Sequence, residues 1–448
     1  VIGIATTMGI RLSRVHYVIF TSYAFTFLIW GFVTTSGVMT LSYFSNYIPK
    51  WLLPVSAALG PLFLMIGNMV MGRLADIVGR RGIYVVTMTL YTLGLIGMAL
   101  SLYLSNSLPT YTVFPVFLAS YALAEFGVGG EEPPALAGIT ELMPPRYRGS
   151  MLVLITNFDN VGALVAAAIL YLALLRNASI SAIWTMIGSA LFVILVAVVI
   201  RLVTPESVRW MASRGRVDEA LRLARERGLE YAMSEEGTVN VRFPPTWFRV
   251  LVLSILGFTQ LSTYGLMAFY IIYLPSLPFS SNAIFQSLVI VWANLGASLA
   301  GLVGLVIDRF SRRSFTLFSY LGGLVTMIPI FLIYGLALKP LYASLPIFYT
   351  LLFINMAFSE FGWAVRVLLE PELFPTRVRA TWIGIVRLIA WAVYIALIYY
   401  LLASASPFTY LLANTVLYVL GAAAATLWFI RGVETRGLPV SALDRAAG

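Results

Sequence analysis

Cysteine is absent from this 448-residue chain, which excludes disulfides, thiol chemistry and any cysteine-ligated metal. Histidine occurs once, as His16 at the mouth of the first apolar segment, where a solvated or capping role is expected rather than proton relay. Glutamine appears only as Gln260 and Gln286, and arginine far outnumbers lysine. So few thermolabile side chains are a compositional mark of thermophiles. Charge is scarcest of all: 11% of residues, against about 25% in soluble domains. With 60% hydrophobic residues and a mean hydropathy of +0.90, an ordinary soluble fold is excluded. No metal-ligand spacing or nucleophile motif stands out, so neither an enzyme nor a bound cofactor is expected.

What the chain does have is apolar runs long enough to cross a hydrocarbon core of about 30 Å as helices. Twelve are read, and the short alternating segments of a barrel are missing. The first half gives 15–40, 51–71, 82–104, 111–142, 151–175 and 181–203. The second gives 247–274, 284–307, 314–338, 342–369, 381–403 and 408–430. The fold expected is an all-α membrane protein of twelve transmembrane helices.

The two halves repeat. Glu141-Leu-Met-Pro-Pro-Arg-Tyr-Arg-Gly149 returns as Glu372-Leu-Phe-Pro-Thr-Arg-Val-Arg-Ala380, each leaving one apolar run and opening the next. Gly72-Arg-Leu-Ala-Asp76-Ile-Val-Gly-Arg80-Arg81 is echoed by Gly304-Leu-Val-Ile-Asp308-Arg-Phe-Ser-Arg312-Arg313. Duplication of this sort builds many secondary transporters. It divides the chain into a six-helix bundle at 1–203, a cytoplasmic linker at 204–246, a second bundle at 247–431 and a tail at 432–448. Within the linker, Val217 to Arg227 reads as a short amphipathic helix, ended by Ser234-Glu-Glu-Gly-Thr238 and Phe243-Pro-Pro245. Its basic face is expected near anionic headgroups.

The net charge of +10 is not a nucleic-acid signal, because the basic residues are sorted by loop. Those after even-numbered runs carry Arg73, Arg80, Arg81, Arg146, Arg148, Arg309 to Arg313, Arg377 and Arg379. The opposite loops hold only Lys50, Arg176 and Lys339. By the positive-inside rule both termini are cytoplasmic, in the cell membrane. No cleavable signal peptide is read before the first run, and the Asn177-Ala-Ser179 sequon is given no functional weight.

Ionisable residues inside a span cost at least a few kcal/mol and mark function by default. From a rise of 1.5 Å per residue, Glu131, Glu132 and Asp159 sit roughly 15 Å deep, Glu360 roughly 18 Å, and Arg366 and Arg387 about 9 to 12 Å. Three carboxylates at one depth repel, so at least one is expected to bind a proton reversibly, the requirement for proton coupling. Glu125 lies nearer the outer face. Arg366 and Glu370, spaced i,i+4, could equally form an internal ion pair, and Arg387 could neutralise an acid. Trp363 shares a helical face with Glu360, while Tyr264, Tyr270 and Trp30 are further candidates for the path.

The motif from Gly72 to Arg81 resembles the signature loop between the second and third helices of the major facilitator superfamily. Pro205-Glu-Ser-Val-Arg-Trp210 with Gly215-Arg216, and Val433-Glu-Thr-Arg-Gly437, resemble the motifs closing the two halves of its sugar porters. Gly127-Val-Gly-Gly-Glu131, Tyr264-Gly265 and Tyr273-Leu-Pro-Ser-Leu277 look like prokaryotic metabolite:proton symporters, kin of the organic cation and anion transporters. Sugar porters differ in the seventh span, where only Gln260 and Ser262 match and Gly265 replaces an asparagine. They also carry a coupling Asp in the first span, where this chain reads Gly31-Phe-Val-Thr-Thr35. The resemblance implies two pseudo-symmetric six-helix bundles in the major facilitator fold, rocking about a central site by alternating access. Asp76, Glu141, Glu206, Asp308, Glu372 and Glu434 would then face Arg80, Arg81, Arg146, Arg148, Arg312, Arg313, Arg377 and Arg379 as an inner gate.

Together these readings predict a monomeric secondary active transporter embedded in membrane lipids. It would move a small organic solute, an organic ion or an aromatic or carboxylic metabolite, with protons in symport. A facilitative or proton-coupled sugar transporter and a proton-driven efflux antiporter are the alternatives. A non-transporting receptor on the same scaffold is a remoter one.

Overall fold

The computed structural model describes residues 12–144, 146–176, 179–233, 242–274, 277, 279, 282–336, 344–404, 406–438 and 440–447. The expectations at the start of the chain, the sequon Asn177, Lys339 and the 234–238 turn lie outside the described residues. So do Pro275 and Ser276 of the seventh-span motif.

Twelve described helices are long and apolar enough to cross a membrane: Arg14–Ser45, Leu52–Val78, Arg80–Leu104, Thr110–Leu142, Arg148–Leu174, Ser179–Leu202, Thr246–Ala268, Ala283–Leu305, Arg312–Gly335, Leu345–Glu372, Thr376–Ala403 and Pro407–Arg431. They are referred to below as the first to twelfth spans. The protein is an integral, multi-pass membrane protein. Several helices outrun their apolar stretch toward the repeated motifs. The second span continues past Met71 to Val78, so the Gly72 to Val78 motif is helical and Gly79, at φ +110°, turns the chain into the third span.

Three spans are broken where they meet others. The fifth is interrupted at Asn157, whose Nδ2 donates to Ser298 O of the eighth, 2.9 Å away. The eighth ends in a 3₁₀ stretch, Gly301–Leu305, that begins against the Asn157 side chain; a Cβ on Gly301 would overlap it. The seventh was expected to run to Leu274, but its α-helix stops at Ala268 and Tyr270–Tyr273 form a 3₁₀ turn. The Tyr270 and Tyr273 hydroxyls hold this turn against Ala57 O of the second span and Val38 O of the first.

Packing follows the repeat. The second span lies along the eleventh and the fifth along the eighth. Moving six spans on converts one contact into the other, so a single interface is used twice to join the halves. The first span crosses the fifth through paired glycines: a Cβ on Gly31 would overlap Asp159 O and Ala163 N, and one on Gly162 would overlap Leu28 O. That close approach sets the position of Asp159. Between the two bundles, Val208–Ser213 and Val217–Arg227 are short helices. The second is closed by Gly228 at φ +66° and buries Ala220 and Ala224. His16 does serve as a cap. Its Nδ1 accepts from Ser13 N at 2.9 Å, and its Nε2 lies 2.9 Å from the Tyr231 hydroxyl, which in turn donates to Leu142 O.

Candidate solute and proton site

At mid-depth a cavity is lined by Trp30 of the first span, Asp159 and Asn160 of the fifth, and Gln260 and Tyr264 of the seventh. Glu132, Glu360, Trp363, Arg366, Arg387 and Trp391 complete it. Both halves contribute. Its charges fall into two groups. The first is a continuous chain: Gln260 Oε1 accepts from Arg366 Nη1 at 2.8 Å, Arg366 Nε pairs with Glu370 at 3.0 Å, and Glu370 pairs with Arg387 Nε at 2.9 Å. Arg387 Nη1 then pairs with Glu132, joining the eleventh span to the fourth. Two arginines face two carboxylates, so this chain is neutral, and Trp363 lies 5.0 Å from each guanidinium carbon.

The second group is Asp159 and Glu360, one from each half. Asp159 accepts from Asn160 N at 2.6 Å and Glu360 from Asn160 Nδ2 at 2.7 Å. Among the described residues neither has an ion-pair partner within 4.0 Å, and Glu360 Oε1 is buried with no hydrogen bond. Asn160 is the residue sequence reading missed, a neutral amide that tethers one acid beside the other.

Glu131 does not share this site. It pairs with Arg201 of the sixth span at 2.5 Å and accepts from Thr87 at 2.6 Å; Arg201 also donates to Thr26 at 2.6 Å and sits 4.2 Å over the Tyr84 ring. The expectation that Glu131 joins Glu132 and Asp159 in one watery pocket is therefore corrected. Successive helix residues point about 100° apart, so Glu131 turns into the first bundle. Tyr270 is also displaced. It borders a second, outer chamber, which shares Trp30, Leu261, Tyr264 and Trp391 with the central one.

Both ends are shut. Outward, the Tyr270 hydroxyl donates to Ala57 O at 3.1 Å, that of Tyr273 to Val38 O at 2.7 Å, and Ser42 to Gln286 at 2.7 Å. The central cavity keeps about 30 Å³ of water-accessible space, room for a few water molecules. Inward, the repeated motifs make a doubled lattice. Asp76 accepts from Thr381 N and Oγ1 at 2.8 and 2.6 Å, capping the eleventh span, and Asp308 accepts from Ser150 N and Oγ at 2.8 and 2.9 Å, capping the fifth. Arg379 reaches Glu141 at 3.2 Å and Arg148 reaches Glu372 at 3.0 Å. All four contacts cross between halves.

The other expected gate residues act mainly within one half, although Arg80 Nη2 also donates across to Thr376 O at 3.3 Å. Arg80 pairs with Asp76 and Glu141 at 2.6 and 2.8 Å, and Arg312 with Asp308 and Glu372 at 2.8 and 3.8 Å. Glu206 accepts from Arg80 N and Arg81 N, both at 3.1 Å, and Glu434 from Arg312 N at 3.1 Å. Burial pushes the Glu206 carboxyl above its ordinary range, against the pull of those amides and Ser207 N. Arg81 and Arg313 donate to Leu202 O and Phe429 O, Arg146 lies over the Tyr147 ring, and Arg377 is exposed. Asp444, which no motif marked, binds Arg379 at 2.8 Å and Thr376 Oγ1 at 2.7 Å from the helix Val440–Ala447.

Known proteins resemble this chain in sequence and fold. The family model described as "Sugar (and other) transporter" matches residues 50–447. The niacin transporter NiaP of Acinetobacter baylyi is 26% identical over 344 residues, 72% of each chain. The arabinose-proton symporter of Bacillus subtilis is 25% identical over 73% of each. Among solved structures, the proton:xylose symporter XylE bound to 6-bromo-6-deoxy-D-glucose superposes with a TM-score of 0.76 at 17% identity, covering 96% of this chain and 98% of that one. The inward-open form of XylE from E. coli gives 0.68 at 18% identity, over 96% and 99%. With the major facilitator fold of those structures, the chain belongs to the sugar (and other) transporter family and is a membrane transporter, not an enzyme.

Proposed function

We propose that the protein is a proton-coupled symporter of a small organic solute, working by alternating access about the central cavity, with both termini in the cytoplasm of the cell that bears it. The observation that carries this reading is the Asp159–Glu360 pair. Two carboxylates from opposite halves face one dehydrated space with an amide between them and no cation on either. An uncompensated buried charge costs several kcal/mol, so the halves close on this pair when a proton neutralises one member. Opening to either side readmits water and lets the proton leave. The two arginines are paired with Glu132 and Glu370, and neither forms an ion pair with Asp159 or Glu360. Proton coupling in the arabinose and xylose symporters among its relatives supports the same reading. The first span here has no acid near Gly31, but the Gly31–Gly162 crossing brings Asp159 against that segment.

The test is reconstitution into liposomes holding a pH-sensitive dye, with solutes added in turn under an imposed pH gradient. A transported solute should acidify the lumen when protons enter with it. Asp159→Asn or Glu360→Gln should abolish gradient-driven accumulation while solute exchange at equal pH persists. Accumulation that survives both substitutions would remove the pair from coupling.

A further inference from the structure

The outer chamber holds a second acid that coupling leaves unused. Glu125, in the fourth span, is 1% exposed, and neither carboxylate oxygen has a hydrogen-bond partner. Around it stand Trp30, Tyr121, Tyr264, Tyr270, Trp391 and Tyr394, from the first, fourth, seventh and eleventh spans, so both halves build the walls. Thr34 supplies a hydroxyl, and no lysine or arginine is among the lining residues described. The hydroxyls of Tyr264 and Tyr270 are spent elsewhere, on Asn294 Oδ1 at 2.6 Å and Ala57 O at 3.1 Å. These two side chains therefore offer rings, not donors. Gly265 makes room for another ring: a Cβ there would overlap the Tyr394 hydroxyl.

A lone carboxylate enclosed by aromatic faces is the chemistry that holds an organic cation. The carboxylate supplies the counter-charge, and the ring quadrupoles replace the water a quaternary or protonated amine gives up. It is poor chemistry for an anion, and sugar hydroxyls would find few free donors.

We infer that Glu125 and its aromatic walls are the subsite for the positively charged head of the solute, which is accordingly a compact organic cation with an apolar or aromatic body. This rests on the transport reading above, and it separates the two charges carried: proton at Asp159 and Glu360, cation at Glu125. Glu125 and Glu132 are seven residues apart on one helix, so the cation site lies about 10 Å outward of the level at which Glu132 meets Arg387. About 20 Å³ is free in this closed form, so the chamber takes its ligand when the outer ends of the first and seventh spans part.

Benzyltrimethylammonium is a suitable probe, since its charge does not change with pH. Its binding to the purified full chain should be read by titration calorimetry and by the emission of the tryptophans, beside benzoate and D-glucose at equal concentration. The cation should bind at least tenfold more tightly than either. Glu125→Gln should weaken it at least tenfold, and Glu125→Asp should recover part of the loss. Melting temperatures of both variants, measured without ligand, establish that the fold is intact. Equal binding by Glu125→Gln, preference for benzoate or glucose, or no cation binding at all overturns the assignment. The proton-flux assay fails or succeeds separately: Glu125-dependent binding without gradient-driven flux keeps the subsite and removes the symporter. Flux with benzoate or glucose but no cation binding does the reverse.

Discussion

Glu131 and Glu132 are adjacent in the chain and opposite in circumstance. A helix turns each residue about 100° from the last, so one faces Arg201 inside the first bundle while the other meets Arg387 across the cavity. Glu131→Gln would leave Arg201 buried without its counter-ion, a loss of about 3–5 kcal/mol. The melting temperature should fall clearly, while solute affinity in the surviving fraction should stay within about threefold. Glu360→Gln should do the opposite, with proton flux lost and melting temperature little changed, since no ion pair is broken. A lowered solute affinity in Glu131→Gln at unchanged melting temperature would return Glu131 to the path. Helical rise gave an expected depth for these acids but no facing. One signal was there to be used: Arg201 lies inside the sixth apolar run and, being charged, needed a partner in the bundle. Asn160 and Asp444 gave no such signal, because a neutral amide and a tail carboxylate look ordinary in any sequence.

Among elements, the spans were legible because water and hydrocarbon sort whole helices by composition. Their breaks at Asn157, Phe269 and Gly301 were not, because each is made by contact with another span. The crossing of the first and fifth spans is the most exacting of these contacts. Gly31→Val would drive a branched side chain into backbone atoms of Asp159 and Ala163, which cannot give way as a rotamer could. It should cost at least the 1–3 kcal/mol typical of overpacking and, by displacing Asp159, impair proton flux in whatever protein folds. Gly188, whose added Cβ would meet nothing within 4 Å, is the control: Gly188→Ala should be silent in both assays. The cap that Glu206 forms on the third span has its own pH signature. Its folded carboxyl lies above the ordinary 4.5, so its stabilising contribution is complete below that value and is lost as pH rises through the folded one. Glu206→Gln lacks this loss. From pH 4.5 to 7.5 its melting temperature should therefore gain on that of the wild type, and a wild type that gains on the variant instead would mean the amides, not burial, dominate.

For the whole molecule, the doubled motif settles which gate contacts can matter. Rigid halves that rock apart leave Arg80–Asp76, Arg80–Glu141 and Arg312–Asp308 intact, since each lies within one half. The pairs Arg148–Glu372 and Arg379–Glu141, the Asp76 and Asp308 caps and the bond from Arg80 to Thr376 O have to separate for the inner face to open. The two pairs are related by the repeat, so a closed inner face carries two equivalent latches and losing one should not open it fully. Each latch is buried, with neither side chain more than 1% exposed; at a coupling of about 1–3 kcal/mol, Glu372→Gln should shift the closed-to-open balance roughly 5- to 150-fold. Pairing it with Glu141→Gln should multiply the two effects if the latches act independently. The absence of cysteine makes this direct to measure, because a cysteine placed at Asn160 is the chain's only thiol. Its labelling rate by a membrane-impermeant maleimide offered from the cytoplasmic side of inverted vesicles should rise in each single variant and further in the double. Glu434→Gln, whose bonds to Ser311, Arg312 N and Arg436 N lie within one half, should change that rate less than either. A rate unmoved by both glutamines would mean that the spans themselves, the second on the eleventh and the fifth on the eighth, hold the inner face shut without help from the charges.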